Sequence, residues 1–174
     1  MTILEDTRNP IEKHKNIRKY CDTHRIQIIR TKLYVGDYTL PTDQRVCIDT
    51  KSDLQEVYNN LIGTRQHERF KRECVRATEA GIRLIVLVEQ SGVNTLDDVA
   101  LWRNKRLEYY DYLKAAHAAG KMLSQPLPKL PPVPSERLRN IMRTMQQRYG
   151  CEWMFCSKAH TGAEIIRLLT GDAP

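Results

Sequence analysis

Five stretches of alternating or continuous apolar residues predict β-strands along the chain. They cover residues 3–6, 26–35, 45–51, 82–89 and 152–156. The stretch 82–89 is nearly continuous in apolar residues, which is typical of a central strand buried on both faces. The stretch 45–51 alternates instead, so Cys47, Asp49 and Lys51 share one face of the predicted strand.

Apolar residues spaced three and four positions apart predict helices between these strands. The predicted helices cover residues 10–24, 53–62, 65–80, 108–122, 137–149 and 159–169, with a short one after Thr95. Asn9, Ser52 and Ser135 precede three of the helices and are residue types that cap helix N-termini. In the helix 108–122, the spacing of the tyrosines predicts that they are buried.

The alternation of strands and helices predicts an α/β fold. Turn-forming residues at 41–44 predict an antiparallel hairpin between residues 26–35 and 45–51. Such a hairpin would bring Asp37 and Asp49 close together across neighbouring strands.

One domain, residues 1–174, fits the length of the chain. It contains an irregular, partly helical insertion at about residues 91–135. Five prolines between residues 126 and 134 predict a stiff, extended segment inside this insertion. A peptide-docking role is the alternative for this segment.

The composition predicts a globular protein with an anionic partner. The hydrophobic fraction is 41%, the net charge is +7 and the pI is about 9.2. Nucleic acid fits this charge better than a membrane does, because no basic amphipathic anchor flanks the chain ends. The alternative is a basic protein without a specific polyanion.

Membrane, secreted and zinc-ribbon classes are disfavoured. The longest apolar run, residues 84–88, is too short to cross a membrane, and the N-terminus lacks the form of a signal peptide. The five cysteines are odd in number and form no Cys-x-x-Cys pair, which argues against a disulfide framework and against a zinc ribbon. An intracellular protein with reduced cysteines is expected.

The candidate chemistry lies at the Gly36-Asp37 turn and at the strand end Asp49-Thr50-Lys51. Two carboxylates can hold a hard divalent cation, and a lysine can position water or stabilise the charge that develops on a phosphate. These residues therefore predict metal-assisted phosphodiester hydrolysis. The alternative is that the triplet is only a solvated strand end.

The helix 65–80 is rich in basic residues, among them Arg65, Arg69 and Lys71. Next to a phosphodiester site, such a helix can bind the DNA backbone. The alternative is a solvated helix surface with salt bridges. Glu89 ends the strand 82–89 and could reach the same sheet edge, or it could simply be exposed.

Taken in order, these motifs resemble the nuclease domain of XPF-type structure-specific endonucleases, within the PD-(D/E)xK superfamily. The resemblance rests on Asp6-Thr7-Arg8, Val35-Gly36-Asp37-Tyr38, Asp49-Thr50-Lys51, Ser52-Asp53-Leu54 and the apolar strand ending at Glu89. It covers about residues 3–89 and, more loosely, 137–169. The insertion, with Trp102-Arg103-Asn104, looks like the compact versions found in bacteriophages and bacteria.

The resemblance implies a restriction-endonuclease-like three-layer fold, with a central mixed β-sheet flanked by helices. It implies a Mg²⁺- or Mn²⁺-dependent DNA endonuclease that acts on branched or structured DNA in the cytoplasm of a bacterial or phage-infected cell. Asp37 and Asp49 would bind the metal, aided by the backbone carbonyl of Thr50. Lys51 would contact the attacking water or the scissile phosphate, and Asp6 would be an accessory catalytic acid.

The expected DNA contacts are Arg8, Arg65, Arg69 and Lys71. Relatives of this type work as dimers, so a homodimer is also expected. The chain departs from the family pattern at two places: Asp49-Thr50-Lys51 replaces the usual Glu-Arg-Lys, and Asn9 replaces a glutamate. These departures favour the alternative function, a catalytically inactive nuclease-like module that binds DNA or a protein.

Overall fold

One mixed β-sheet organises the protein, as shown by a computed structural model that describes residues 1–122 and 126–171. Within these residues the strands are β1 Thr2–Asp6, β2 Gln27–Thr31, β3 Tyr38–Thr39, β4 Val46–Lys51, β5 Arg83–Glu89 and β6 Glu152–Cys156. Their order across the sheet is β2-β1-β3-β4-β5-β6, and β3 runs antiparallel to both of its neighbours. The other strands pair in parallel, so their carboxyl ends meet at one edge of the sheet.

Helices cover both faces of this sheet. They are α1 Lys15–Thr23, α2 Leu54–Ile62, α3 Thr64–Glu79, α4 Lys105–Ala118, α5 Ser135–Tyr149 and α6 Thr161–Thr170, with 3-10 helices at Ile11–His14 and Asp97–Leu101. Helices α1 and α6 pack on one face, whereas α2, α3 and α5 pack on the other. The predicted α/β fold with a central mixed sheet flanked by helices is confirmed.

Strand β5 contributes to two hydrophobic cores, because its side chains alternate between the faces of the sheet. Leu84, Val86 and Val88 belong to the core with α2, α3 and α5. Ile85 and Leu87 belong to the core with α1 and α6. All five side chains are at most 1% exposed, which confirms the predicted central strand.

The hairpin around residues 41–44 is formed by β3 and β4. The predicted pairing of residues 26–35 with residues 45–51 is therefore wrong. β2 ends at Thr31 and pairs in parallel with β1. The connection between these two strands is helix α1, which returns the chain to the edge of the sheet where β1 began. The two-residue strand β3 was too short to be recognised from the alternation of side chains.

Gly36 turns the chain into β3. Its φ is +70°, a conformation that side chains other than glycine rarely adopt. A Cβ at this position would also lie 3.0 Å from the carbonyl oxygen of Ile48. The turn lets the backbone N–H of Asp37 donate to that same carbonyl at 2.7 Å, which places Asp37 beside β4.

Two of the predicted helix caps are wrong by one residue. Asp53, rather than Ser52, caps α2 by accepting the backbone N–H of Glu56 at 2.7 Å. Ser52 instead donates its N–H and its hydroxyl to the Glu56 carboxylate. Ser135 lies inside the first turn of α5 and donates its hydroxyl to the carbonyl of Trp102 at 2.6 Å, so a tertiary contact uses the group that was predicted to cap.

Helix α4 buries none of its side chains. Tyr109 and Tyr112 are 60% and 64% exposed, so the prediction that they are buried is wrong. The helix belongs to the insertion and covers neither face of the sheet. Part of it borders a groove with the proline-rich segment, including Pro126 and Pro128.

Parts of two predicted regions lie outside the described residues. They are residues 123–125 of the insertion and residues 172–174 of the predicted single domain. Within the described segments, none of the helices combines the length and the apolar character that a membrane span requires.

Candidate active site

A polar cleft of about 250 Å³ opens where the carboxyl ends of β1 and β4 face helices α2 and α3. Its lining side chains are mostly charged. They come from Asp6, Arg8, Asn9, Asp37, Asp49, Lys51, Glu56, Arg69, Glu73 and Arg76, together with Gly36. The structure thus brings all four catalytic candidates from the sequence, Asp6, Asp37, Asp49 and Lys51, to one cleft.

Asp37 is a buried carboxylate held by three hydrogen bonds. Its Oδ2 accepts the backbone N–H of Thr50 at 2.9 Å and the Thr50 hydroxyl at 2.5 Å. Its Oδ1 accepts the side-chain amide of Asn9 at 2.7 Å, so Asn9 caps no helix, contrary to the prediction. Because a carboxylate offers about four lone-pair positions, Asp37 keeps capacity for a further partner.

Asp49 is a buried carboxylate whose negative charge is only partly balanced by its neighbours. It is 5% exposed, and its Oδ2 lies 2.5 Å from the Nζ of Lys51. This oxygen and the ammonium group of Lys51 form a buried ion pair. Burial raises the pKa of Asp49 to about 7 against the lowering effect of Lys51, and the charges of Asp37 and Glu73 add to the rise.

Lys51 keeps its positive charge in this buried setting. Burial alone would lower the pKa of its ammonium group, but the carboxylates of Asp49 and Asp37 raise the pKa above its ordinary value. The Nζ also lies 5.6 Å from the centre of the Phe70 ring, a favourable position for a cation. Lys51 is therefore suited to donate hydrogen bonds and to neutralise negative charge, not to accept a proton.

Asp6 is buried, and its carboxylate is bound by Arg8. The Nε of Arg8 lies 2.9 Å from each carboxylate oxygen, and the backbone N–H of Arg8 donates to Oδ1 at 2.7 Å. Burial alone would raise the pKa of Asp6, but the hydrogen bonds from Arg8 lower it. Asp6 is thus an ionised group with a fixed partner, and its clearest effect on the cleft is to position Arg8.

One face of helix α3 lines the cleft through Arg69, Glu73 and Arg76. Arg65 is spaced for the same helical face, four residues before Arg69. Lys71 lies on another side of the helix, where its Nζ is 5.6 Å from the centre of the Tyr149 ring. The structure therefore brings Arg69, but not Lys71, to the catalytic candidates.

Sequence analysis misses Glu73 and Arg76 as members of the site. Glu73 accepts the backbone N–H of Gly36 at 3.0 Å, which ties α3 to the turn that precedes Asp37. Glu73 and Arg76 follow Arg69 by four and seven residues, so the sequence indicates that all three share one face of the helix. The sequence does not indicate that this face meets the edge of the sheet.

Glu89 reaches the carboxyl edge of the sheet but lines a second cleft of about 270 Å³. This cleft shares Lys51 with the first and includes Ser52 and Lys158. Glu89 is therefore separate from the pair of aspartates.

The two departures from the family pattern both act on Asp37. Thr50 donates to it twice, and Asn9 donates to it once. A glutamate at position 9 would instead bring a second carboxylate towards Asp37. The side chains of Asn9 and Thr50 supply hydrogen-bond donors that hold Asp37 in place.

The Thr50→Val substitution is expected to weaken binding of a divalent cation about 10- to 100-fold, the usual effect of losing a group that orients a metal ligand. It removes the hydroxyl donor to Asp37 while the shape of the side chain is nearly kept. Isothermal calorimetry with Mn²⁺ measures the effect.

Thr39→Val is the matched control, because Thr39 is equally buried in the same hairpin and donates its hydroxyl to the carbonyl of Val46 at 2.7 Å. Its substitution should cost about 1 kcal/mol of stability without changing Mn²⁺ affinity. Wild-type Mn²⁺ affinity in the Thr50→Val protein would contradict the proposed orienting role of Thr50.

The oxygen atoms in the cleft fit a hard divalent cation. Mg²⁺ is usually held by one or two carboxylates and keeps several waters. Asp49 offers a carboxylate of which one oxygen is paired with Lys51, and Asp37 has spare acceptor capacity. Among the described residues no three His, Cys, Asp or Glu side chains form a ready-made metal cage, so water or phosphate oxygens would have to complete the coordination.

The fold and the cleft define a restriction-endonuclease-like α/β protein with an acidic and basic site at the carboxyl edge of its sheet. The chain belongs to the ERCC4 domain family, whose model matches residues 6–169. The resemblance to XPF-type nuclease domains is thereby confirmed at the level of family and fold.

Two similar solved structures are XPF from Aeropyrum pernix and the same protein in complex with DNA. The first is 17% identical with a TM-score of 0.58, over 99% of this chain and 66% of that chain. The second is 16% identical with a TM-score of 0.54, over 97% of this chain and 63% of that chain. This chain thus spans about two thirds of the length of either structure. Comparison with curated protein sequences gave no match.

Proposed function

We propose that this protein is a metal-dependent DNA endonuclease that hydrolyses phosphodiester bonds in branched or structured DNA. The observation that carries the proposal is the convergence of the buried side chains of Asp37, Asp49 and Lys51 in one cleft. The charge of Asp37 raises the pKa of Asp49, and a bound cation would relieve this repulsion between the two carboxylates. Membership of the ERCC4 domain family supports the nuclease class.

The acidic pair and the lysine have distinct roles in this proposal. Asp37 and Asp49 hold Mg²⁺ or Mn²⁺, which when bound polarises the phosphate and lowers the pKa of coordinated water. Lys51 donates hydrogen bonds to the scissile phosphate and stabilises the negative charge that develops on its oxygens. Asn9 and Thr50 keep Asp37 in place through the donors described above.

The arginines of the cleft bind the DNA backbone on either side of the scissile phosphate. Arg8 has a half-exposed side chain that is oriented by Asp6. Arg69 and Arg76 lie on the opposite wall, on helix α3. The planar guanidinium fork matches two phosphate oxygens at once. The net charge of +7 further supports a polyanionic substrate rather than a small phosphate ester.

Cleavage of a DNA panel tests the proposal. Linear, splayed, flapped and four-way duplexes are incubated with the wild-type protein in Mg²⁺, in Mn²⁺ or in EDTA, and the products are separated on denaturing gels. We expect cuts near the branch in Mg²⁺ or Mn²⁺ and none in EDTA. Lys51→Ala should bind the same DNA but cut it at least about 100-fold more slowly, since it loses a charge-stabilising donor.

The inactive DNA-binding or protein-binding module is the second candidate, and one observation favours it. Three of the lone pairs of Asp37 are already occupied by Asn9 and Thr50. If this arrangement excludes a cation, calorimetry at millimolar Mn²⁺ will show no binding, and no substrate of the panel will be cut. Binding that is lost in Asp37→Ala would instead support the nuclease.

A further inference from the structure

Helix α4 presents aromatic side chains to solvent. It has no buried residue, although it carries Tyr109, Tyr110 and Tyr112. Tyr109 and Tyr112 are 60% and 64% exposed, and their ring centres lie 6.4 Å apart with planes inclined by 23°. Tyr109 also lines the groove between α4 and the proline-rich segment. Large exposed aromatic side chains commonly mark a binding surface.

The helical face that carries this pair also carries Lys105. Lys105, Tyr109 and Tyr112 are spaced by four and three residues, which places them on one side of α4. Lys105 is exposed and forms no ion pair within residues 1–122 and 126–171. The positive charge of Lys105 on this face complements an anionic ligand.

The N-terminus of α4 is anchored at the edge of the sheet that carries the cleft. The guanidinium carbon of Arg106 lies 5.8 Å from the centre of the Tyr58 ring on α2. The backbone N–H at the start of α2, on Leu54, donates to the side chain of Gln90 at 3.2 Å. Gln90 and Lys105 line one groove of about 360 Å³. Because α2 begins three residues after Lys51, this groove and α4 extend the same edge of the molecule.

We propose that Tyr109 and Tyr112 form a stacking site for unpaired nucleic-acid bases, with Lys105 neutralising the adjoining backbone. This inference rests on the proposed nuclease function and identifies the single-stranded arm of a branched substrate as the part that α4 binds. Flat aromatic rings next to a cation can bind nucleic-acid bases, because every base has a π-face and the sugar-phosphate backbone is anionic. A purely apolar protein partner would have no use for the lysine on the same face as the rings.

Binding in EDTA tests the site without cleavage. Fluorescence anisotropy compares wild type with the double variant Tyr109→Ala/Tyr112→Ala on a labelled single strand, a splayed duplex and a blunt duplex. We expect the dissociation constant of the alanine variant to rise about tenfold for the single strand and the splayed duplex. The constant for the blunt duplex should change less than about twofold, because paired bases cannot stack on the helix.

Two conservative double variants identify the interaction. Tyr109→Phe/Tyr112→Phe keeps the rings and should bind the single strand as wild type does. Tyr109→Leu/Tyr112→Leu keeps apolar area without a ring and should bind as weakly as the alanine variant. Because α4 buries no side chain, all three variants should keep the melting temperature of the wild type.

Either of two results would overturn the proposal. One is wild-type affinity for the single strand in the alanine variant. The other is wild-type affinity in the leucine variant, which would indicate an apolar docking surface for a protein. Both outcomes are independent of catalysis: a failed nuclease proposal would appear as absent cleavage in Mg²⁺, whereas the stacking site is measured in EDTA.

Discussion

Asp49→Asn protein is expected to lose DNA cleavage on the order of 10³-fold or more, because it lacks the buried negative charge that would bind the proposed cation. The amide is nearly the same size as the carboxylate, so the fold should persist. Single-turnover cleavage of the best branched substrate in Mg²⁺ measures the loss. Affinity for that substrate in EDTA should stay within about threefold of wild type, because the phosphate-binding arginines remain.

Asp43→Asn is the matched control for this experiment. Asp43 lies in the same hairpin but is paired with Arg45 at 2.6 Å, outside the cleft. Its substitution should leave the cleavage rate unchanged. If Asp49→Asn cut DNA as fast as Asp43→Asn, the assignment of Asp49 as a metal ligand would be wrong.

The same substitution should stabilise the metal-free protein at high pH. The pKa of Asp49 is raised from 3.8 to about 7 in the folded state, so between these values the folded protein binds more protons than the unfolded chain does. The stability that Asp49 contributes is therefore present below about pH 4 and is lost as the pH rises through about 7.

Asp49→Asn removes this dependence, because an amide does not titrate. Near pH 8 the variant should be more stable than wild type by at most a few kcal/mol, since a tenfold change in proton affinity is worth about 1.4 kcal/mol. Near pH 4 the two proteins should be equally stable. Urea unfolding in EDTA at both pH values measures the difference, and greater stability of wild type near pH 8 would contradict the raised pKa.

Gly162→Ala is expected to destabilise the protein by about 2–3 kcal/mol through overpacking between α6 and α1. A Cβ at position 162 would lie 2.5 Å from the Cβ and 2.6 Å from the Cγ of Tyr20. These atoms are close to the backbone of α1, so rotation of the tyrosine side chain cannot remove the clash. Urea denaturation with an unchanged m-value measures the loss of stability.

The direction of the stability change in Gly162→Ala distinguishes overpacking from helix propensity. Alanine is favoured over glycine inside a helix by about 1 kcal/mol, so without the close contact the substitution would stabilise the protein. Gly81→Ala is the control, because a Cβ there meets no atom within 4 Å, although φ is +65°. It should cost about 1–2 kcal/mol from backbone conformation alone. Increased stability of Gly162→Ala would show that α1 and α6 pack less closely than described.

Much of the site was visible in the sequence because its chemistry is local. Asp49 and Lys51 lie two residues apart on a strand, so alternation alone predicts that they share a face. Gly36 before Asp37 indicated a turn, and the turn is present with a positive φ. The hydrogen bonds of Asp37 could not be predicted, because Asn9 and Thr50 reach it from different strands and loops.

The predictions from the sequence were wrong where the position of a side chain depends on residues far away in the chain. The period of the tyrosines on α4 matches that of a buried helix, but no sheet face lies under that helix. The apolar stretch 26–35 resembles one long strand, yet its second half leaves the sheet to bury Leu33 and Val35. Periodicity records which side chains can share a face, and it does not record whether another element covers that face.

The sequence by itself determined the α/β class, the central strand β5, the helix that carries the arginines and the acidic strand end. These features depend on spacing within short segments, which backbone geometry converts directly into faces and edges. Only the tertiary structure decided that β3 pairs with β4, that Glu73 and Arg76 join the cleft, that Lys71 lies elsewhere and that Tyr109 and Tyr112 are exposed. Those outcomes depend on which elements pack together, and the packing is set by contacts between residues far apart in the chain.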